Sequence, residues 1–345
     1  MKKLINPFKI LLPLAMLLQA NLYAQQNDND DRNDNRNEKK KYEFVKKKTV
    51  NKSYNVSSSD KLSIKNSFGS VKVNTWSRNE IKVDVDIEVS ANTEALAQKI
   101  LDRISVNEEK SGKEINFETD FNDKNENHSK GDRNEKSSME INYTISMPEG
   151  NPLKVQNDFG STTIPDFRGE VDLTSKFGSL TTGNLSNIKS INVEFGKANL
   201  ANISSAPVSI KFSKANIQKM TGAVKLNLEF CNPVKLNLDN SLSSLDLKTS
   251  YSTVNLKPVG DIQASYTIST SFGSFKNTSN VKFSSDEDGD DRHGPKFDNE
   301  YNGKSGSGSI PVKVKSSFGK VIVGEASEED MKGKEKHKEK DKSRT

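Results

Sequence analysis

One spacing constrains this chain more than any other. Phe159, Phe177 and Phe195 are each followed by glycine and lie 18 residues apart. Continuing that spacing reaches Phe212-Ser213, Phe230-Cys231, Tyr251-Ser252 and Phe272-Gly273, at intervals of 17, 18, 21 and 21. The same pair stands at Phe68-Gly69 and Phe318-Gly319. Nine aromatic positions therefore share one register, each with a small residue behind it. Four residues before them sit Ile64, Val155, Leu173, Ile191, Val208, Leu226, Leu247, Ile268 and Val314, all apolar. Three residues after them come Val71, Thr162, Leu180, Ala198, Ala215, Val254, Phe275 and Val321. The Phe230 unit shifts by one, to Val234 and Leu236, which predicts a one-residue bulge around Pro233.

A fixed short period is the mark of a repeat architecture. Alternation on both sides of the aromatic predicts short strands with one face inward. A unit of 17–21 residues cannot bury a core of its own, so the units must stack. The expected fold is mainly β: a parallel β-helix or β-solenoid-like stack of 17–21-residue coils with a small α+β N-terminal cap. The small residue is expected to bend the chain at positive φ and to keep Cβ off the next coil. The aromatics are expected inside, each contributing about 1.5–3 kcal/mol, so that Phe195→Ala costs about 3–5 kcal/mol. A meander or sandwich with two strands per unit, at spacings of about 8–12 residues, stays open as the competing architecture.

The flanks read differently. Lys2, Lys3 and Lys9 precede an apolar run from Ile10 to Leu18, and Leu22-Tyr23-Ala24 fits a secretory cleavage site, so residues 1–24 are expected to be a signal peptide. Nine apolar residues are too few to span a bilayer, which takes about 20. Residues 25–41, rich in Asn and Asp, are an expected disordered linker, and 325–345 an expected charged disordered tail. Between them, 42–152 holds the first coil and the cap, and 153–324 the β-repeat stack. In the cap, 81–89 alternates as a strand. Asn92 is the candidate N-cap of a short helix with Leu96, Ile100 and Ile104 on one face, and 113–119 and 139–147 are strands. Residues 284–309, acidic and then Gly/Ser-rich, read as a long loop.

The order of these features carries a resemblance. A signal peptide is followed by Phe68-Gly-Ser-Val-Lys-Val, the strand 81–89, a short helix, Ile-Ser-Met-Pro-Glu-Gly at 145–150 and repeated Phe-Gly-Ser turns. The chain resembles the bacterial putative-adhesin family of secreted β-strand-repeat domains, a family of unknown function related to head-GIN-type adhesin domains. The resemblance covers roughly 60–324. It implies a right-handed parallel β-helix-like fold at the cell envelope, with no catalytic residue and no cofactor. The family's usual Gly-Asp turn is replaced here by Phe-Gly, and 284–309 is extra.

Little in the sequence points to chemistry. Cleavage would remove three of 52 Lys and Arg against 47 Asp and Glu, taking the charge from +5 to +2, too near neutral to argue for nucleic acid. Cys231 is the only cysteine, so no intramolecular disulfide forms, and its place in the small slot predicts a buried inert thiol. His128, His293 and His337 fall in expected loops or the tail, far apart in sequence, which argues against a triad or a metal site. Gly303-Lys304-Ser305 lacks the glycine and the strand of a phosphate loop. The run 286–291, DEDGDD, could collect calcium but does not match the twelve-residue calcium loop. Asp166, Glu170, Asp172, Glu194, Glu229, Asp239 and Asp246 are scattered, whereas a polysaccharide-cleaving site needs paired carboxylates.

The expectation is a non-catalytic, exported β-repeat protein, periplasmic or at the cell surface, acting as an adhesin or as an interaction or structural module. Its expected partners are envelope glycan or protein. It needs no cofactor or metal, does not bind nucleic acid and has no transmembrane segment. The runner-up is an envelope-stress regulatory accessory working through its tails, and a polysaccharide-active enzyme comes third.

Overall fold

A computed structural model describes residues 42–122, 134–285 and 297–331, and in it the chain is mainly β. The expected signal peptide and linker, the acidic run 286–291, all three histidines and residues 332–345 lie outside the described residues.

Successive repeats pair in parallel, which excludes an antiparallel meander for this part of the chain. Each rung has one strand before the aromatic corner and one after it. The strands before the corner run Lys61–Ser67, Leu153–Asp158, Phe167–Lys176, the second half of Ser179–Glu194, Pro207–Lys211, the second half of Lys214–Glu229 and Leu242–Ser250, each hydrogen-bonded to the next. The apolar residues four before each aromatic meet in register: Ile64 on Val155, Val155 on Leu173, Leu173 on Ile191, Ile191 on Val208, Val208 on Leu226, Leu226 on Leu247. All are buried. Burial of each such side chain contributes about 1.5–3 kcal/mol, so this column is the backbone of the core.

The strands after the corner stack in the same way from Val71–Trp76 to the first half of Lys214–Glu229. That ladder then breaks, and a separate four-stranded sheet begins with Val234–Leu238. The one-residue shift read around Pro233 is real: Val234 pairs with Val254 and Leu236 with Leu256, all buried.

The stacking order departs from the sequence order at one place. The Phe318 rung, Ile310–Ser317 and Lys320–Gly324, lies between the Tyr251 rung and the Phe272 rung. Val314 pairs with Leu247 on one side and with Ile268 on the other. The chain therefore skips a level after Tyr251, builds the Phe272 rung, and returns to fill the gap. Part of the expected loop 284–309 serves that return. Asp298–Lys304 is a strand that pairs antiparallel with Ala264–Ser271 and with Phe283–Ser285, covering the outer edge of that sheet.

At the opposite end, the insertion after the first rung extends both sheets. Ser137–Pro148 pairs in parallel with Val71–Trp76, and Glu80–Ala91 and Phe44–Asn55 add antiparallel strands outside it. Glu114–Phe121 pairs with Lys61–Ser67 and forms a hairpin with Ile104–Ser111. The outermost strand, Phe44–Asn55, carries Lys46, Lys47, Lys48 and Lys52, charges that discourage a further strand from pairing. The expected helix is Glu94–Arg103 and buries Leu96, Ala97 and Leu101. Its cap is Thr93, whose Oγ1 accepts from the Leu96 N–H at 3.3 Å, and Asn92 does not cap it. The Asn92 side chain is engaged elsewhere, donating to the Asn134 carbonyl at 2.6 Å and accepting from the Lys136 N–H at 3.1 Å. Ile104 already belongs to the following strand.

The stretch from 325 is not a free tail throughout. Ser327 caps a single helical turn, Glu328–Met331, that buries Met331. Asp330 accepts from Lys276 at 2.7 Å and from Lys320 at 2.6 Å. These two ammonium groups and Ser327 hold its carboxyl well below the usual carboxylate range.

Candidate functional site

The nine aromatics form one continuous ladder. Phe68, Phe159, Phe177, Phe195, Phe212, Phe230, Tyr251, Phe318 and Phe272 stack in that order, with centroids 4.5–5.1 Å apart and ring planes within 12° of parallel. Phe297 stacks on Phe272 at 4.7 Å, and Phe121 meets Phe68 edge-on at 5.6 Å. Both end faces of the ladder are thus closed.

The expected burial of these rings is wrong. Eight of them, Phe159 through Phe318, are 43–55% exposed, and Phe68 is half-buried. Ring faces cover one another and ring edges point to solvent. The backbone explains the turn outward. Every one of the nine aromatics has positive φ, from 48° to 64°. A bulky residue in this left-handed region costs about 1–2 kcal/mol. The following small residue was expected to take that conformation, and it does not.

The small residue has the other role that was read for it. A Cβ on Gly160 would stand 1.7 Å from the Gly69 carbonyl oxygen, and one on Gly196 would stand 1.8 Å from that of Gly178. Such close approach lets hydrogen bonds run unbroken through the corner. The Phe195 N–H donates to the Lys211 carbonyl at 3.1 Å, and the Lys197 N–H to the Gly178 carbonyl at 3.0 Å. Where the glycine is replaced, a polar side chain fills the slot. Ser213 Oγ accepts from the Gly196 N–H at 2.9 Å and donates to the Lys211 carbonyl at 2.6 Å. Cys231 is fully buried, its Sγ 3.2 Å from the Ile210 carbonyl, and burial pushes the thiol up.

A charged column runs beside five consecutive rungs of the ladder, one residue before the aromatic: Asp158, Lys176, Glu194, Lys211 and Glu229, with Ser67, Ser250, Ser271 and Ser317 at the same place in the other four. The signs alternate from rung to rung. Lys176 pairs with Glu194 and Lys211 with Glu229, each at 3.3 Å. Beyond this column the outer face of the same sheet has a shallow groove of about 250 Å³, lined among others by Asn192, Ser209, Lys225, Asn227, Asp246 and Lys248. Of the carboxylates singled out as scattered, Asp172 accepts from Ser190 at 2.6 Å and Asp166 from the Asn184 N–H at 2.7 Å. Gly303 lies in the strand Asp298–Lys304, and the Ser305 N–H donates to the Ala264 carbonyl at 2.8 Å. This segment closes a sheet edge. Among the described residues, no group of three or more His, Cys, Asp or Glu is placed to hold a metal ion. No helix among them is long and apolar enough to cross a membrane.

No family model matches the chain, and no curated protein matches it. Among solved structures it is similar to a putative cell adhesion protein from Clostridium sporogenes, at 14% identity over 81% of this chain and 100% of that one, with a TM-score of 0.23. A putative adhesin from Bacteroides fragilis shares 11% identity over 80% of this chain and 97% of that one, with a TM-score of 0.37. A putative lipid binding protein from Parabacteroides distasonis shares 9% identity over 80% and 97%, with a TM-score of 0.23.

Proposed function

We propose that this chain is an exported, non-catalytic interaction module of the bacterial cell envelope, built as a β-solenoid whose working surface is the aromatic ladder. The observation that carries the reading is the ladder's combination of strain and exposure. Nine aromatics hold a left-handed backbone at about 1–2 kcal/mol each. The stacks return about 0.5–1.5 kcal/mol per ring pair. The two roughly cancel, so a stretch of exposed ring edges is retained with little net gain to the fold. Strained residues repeated on a surface point to a task performed by that surface. The solenoid assignment draws on the in-register parallel pairing of successive rungs.

The non-catalytic reading is supported by the same surroundings. Beside the ladder Glu194 and Glu229 are neutralised by Lys176 and Lys211, and Cys231 is buried. The groove presents the Asn192, Asn227 and Lys248 side chains, donors and acceptors for glycan hydroxyls, as a second contact. Retention of the labelled full chain on envelope fractions tests the reading. Replacing Phe177 and Phe195 by Asn, which tolerates positive φ, should abolish retention while leaving far-UV circular dichroism unchanged. Undiminished retention removes the ladder as the working surface. Release of reducing ends from a glycan panel removes the non-catalytic assignment.

A further inference from the structure

We infer that the ladder's partner is a second copy of the same chain, docked antiparallel, ladder against ladder, with the two-fold axis between the Phe212 and Phe230 rungs. This inference rests on the reading of the ladder as a contact surface and fills that surface with the second copy, so the ladder acts on envelope retention by pairing two chains, whose grooves then bind together.

Three observations select a second copy. The first is shape. The stacked rings leave no free face, only a strip of edges one ring wide, and the complement of such a strip is another like it. The second is area. Eight rings 43–55% exposed present about 100 Å² each, given about 150–250 Å² per aromatic side chain. The strip offers about 800 Å² per copy, the amount each partner buries in a standard specific interface.

The third observation is charge, and it sets the register. A two-fold axis in the contact plane and perpendicular to the ladder brings the column Asp158, Lys176, Glu194, Lys211, Glu229 against itself in reverse. If the axis passes through a rung, a charge meets its own copy: Lys211 on Lys211, or Glu229 on Glu229. If it passes between two of these rungs, the two charges beside the axis are opposite in sign; between Phe212 and Phe230 these are Lys211 and Glu229, and Glu194, Lys176 and Asp158 then face Ser250, Ser317 and Ser271. A second column, two residues after each aromatic, narrows the choice. It includes Lys197, Lys214, Asn232, Thr253 and Lys320. An axis between Phe195 and Phe212 sets Lys197 against Lys214 of the partner subunit. An axis between Phe177 and Phe195 avoids that clash but leaves Tyr251, Phe318, Phe272 and Phe297 uncovered. An axis between Phe212 and Phe230 sets Lys211 against Glu229 of the partner subunit, Lys214 against Asn232 and Lys197 against Thr253. It also covers every stacked ring from Phe68 to Phe297. This contact is closed and isologous, so it gives a dimer and no fibre.

Sedimentation equilibrium of the full chain tests the inference. The wild type should show a concentration-dependent monomer–dimer equilibrium. Lys211→Glu alone, or Glu229→Lys alone, should weaken it at least about tenfold. The two together should restore it, because each new charge again faces its opposite across the axis. Phe212→Asn with Phe230→Asn should leave a monomer. Urea midpoints of all variants confirm that the fold is retained. A wild type that stays monomeric, or a double charge reversal that fails to restore the dimer, overturns the inference. A monomeric wild type that still binds envelope fractions through Phe177 and Phe195 overturns the dimer alone. If those substitutions change neither self-association nor envelope retention, the reading of the ladder as a contact surface falls as well.

Discussion

Replacing Phe195 by alanine and, separately, by glycine separates a strained surface ladder from a buried core. Phe195 stacks on Phe177 at 5.1 Å and on Phe212 at 4.9 Å, and is 48% exposed. Truncation to alanine loses two stacks, about 1–3 kcal/mol together. It also loses burial of half a ring, about 1 kcal/mol. Alanine keeps the positive φ, so nothing is recovered, and the total cost is about 2–4 kcal/mol. Glycine loses the same contacts but recovers about 1–2 kcal/mol of left-handed strain, less about 0.5–1 kcal/mol for its extra freedom in the unfolded chain. Phe195→Gly should therefore be more stable than Phe195→Ala by about 0.5–1 kcal/mol. A buried ring in ordinary extended backbone predicts the reverse order, with glycine the worse. Urea unfolding followed by far-UV circular dichroism, compared at constant m, reads the difference. An alanine variant as stable as the glycine variant, or more so, would refute the argument from φ.

Three further outcomes follow from the rung geometry. Gly196→Val should cost about 3 kcal/mol, because Cβ meets the Gly178 backbone at 1.8 Å. Gly196→Ser should cost less, since Ser213 shows that a hydroxyl can sit in this slot bonded to its neighbours; equal melting temperatures for the two would contradict this. A chain ending at Ser309 lacks the rung that separates Leu247 from Ile268. It should melt earlier, and a peptide spanning 310–331 added in trans should bind it and raise the melting temperature, with fluorescence anisotropy reporting the binding. The Asp330 carboxyl titrates below its unfolded value, so it stabilises the docked turn above the ordinary carboxylate pKa of about 3.9 and stops doing so as pH falls through its lower folded value. The protection of the Met331 amide, whose N–H donates to the Ser327 carbonyl at 3.3 Å, measured as its exchange rate relative to the intrinsic rate at the same pH, should therefore be full at neutral pH and fall as pH drops below the ordinary carboxylate range, and Asp330→Asn should lower it at neutral pH and make little difference once the wild-type carboxyl is protonated.

The parallel register of the core was legible because it depends on side-chain type alone. An apolar residue four places before each aromatic had to face inward, and Val155, Leu173, Ile191 and Val208 do. The rung order was not legible. Nothing local to Phe318 distinguishes it from Phe272, since both carry apolar residues at the same offsets. The insertion of one rung beside another is decided by which edges remain unpaired once the rest has formed. The strand Asp298–Lys304 serves the return, and it reads as loop because its apolar content is low.

The outward turn of the aromatics is the instructive case, because the sequence contained its signal. Period two from Ile191 places Val193 and then Phe195 on the inner face. Yet the inward residues after the corner are Ala198 and Leu200, an odd number of places beyond Val193. Inside-to-inside spacing in a strand is always even, so the parity must break between Val193 and Ala198. A single left-handed residue at the corner accomplishes this: it turns the chain from one sheet into the other, throws its own side chain outward, and lets the alternation resume in the opposite phase. The glycine was the conventional candidate for that conformation. It was already committed, because at this spacing a Cβ on Gly196 would stand 1.8 Å from the Gly178 carbonyl oxygen. With the glycine outside the left-handed region, the strain falls on the residue before it. At that position an aromatic is the side chain best able to offset the cost, by stacking on identical neighbours at the rung spacing. The corner thus requires the left-handed conformation but not the aromatic, since glycine or asparagine would hold it at less strain; the exposed ring edges are what the aromatic adds, a surface that a partner can meet.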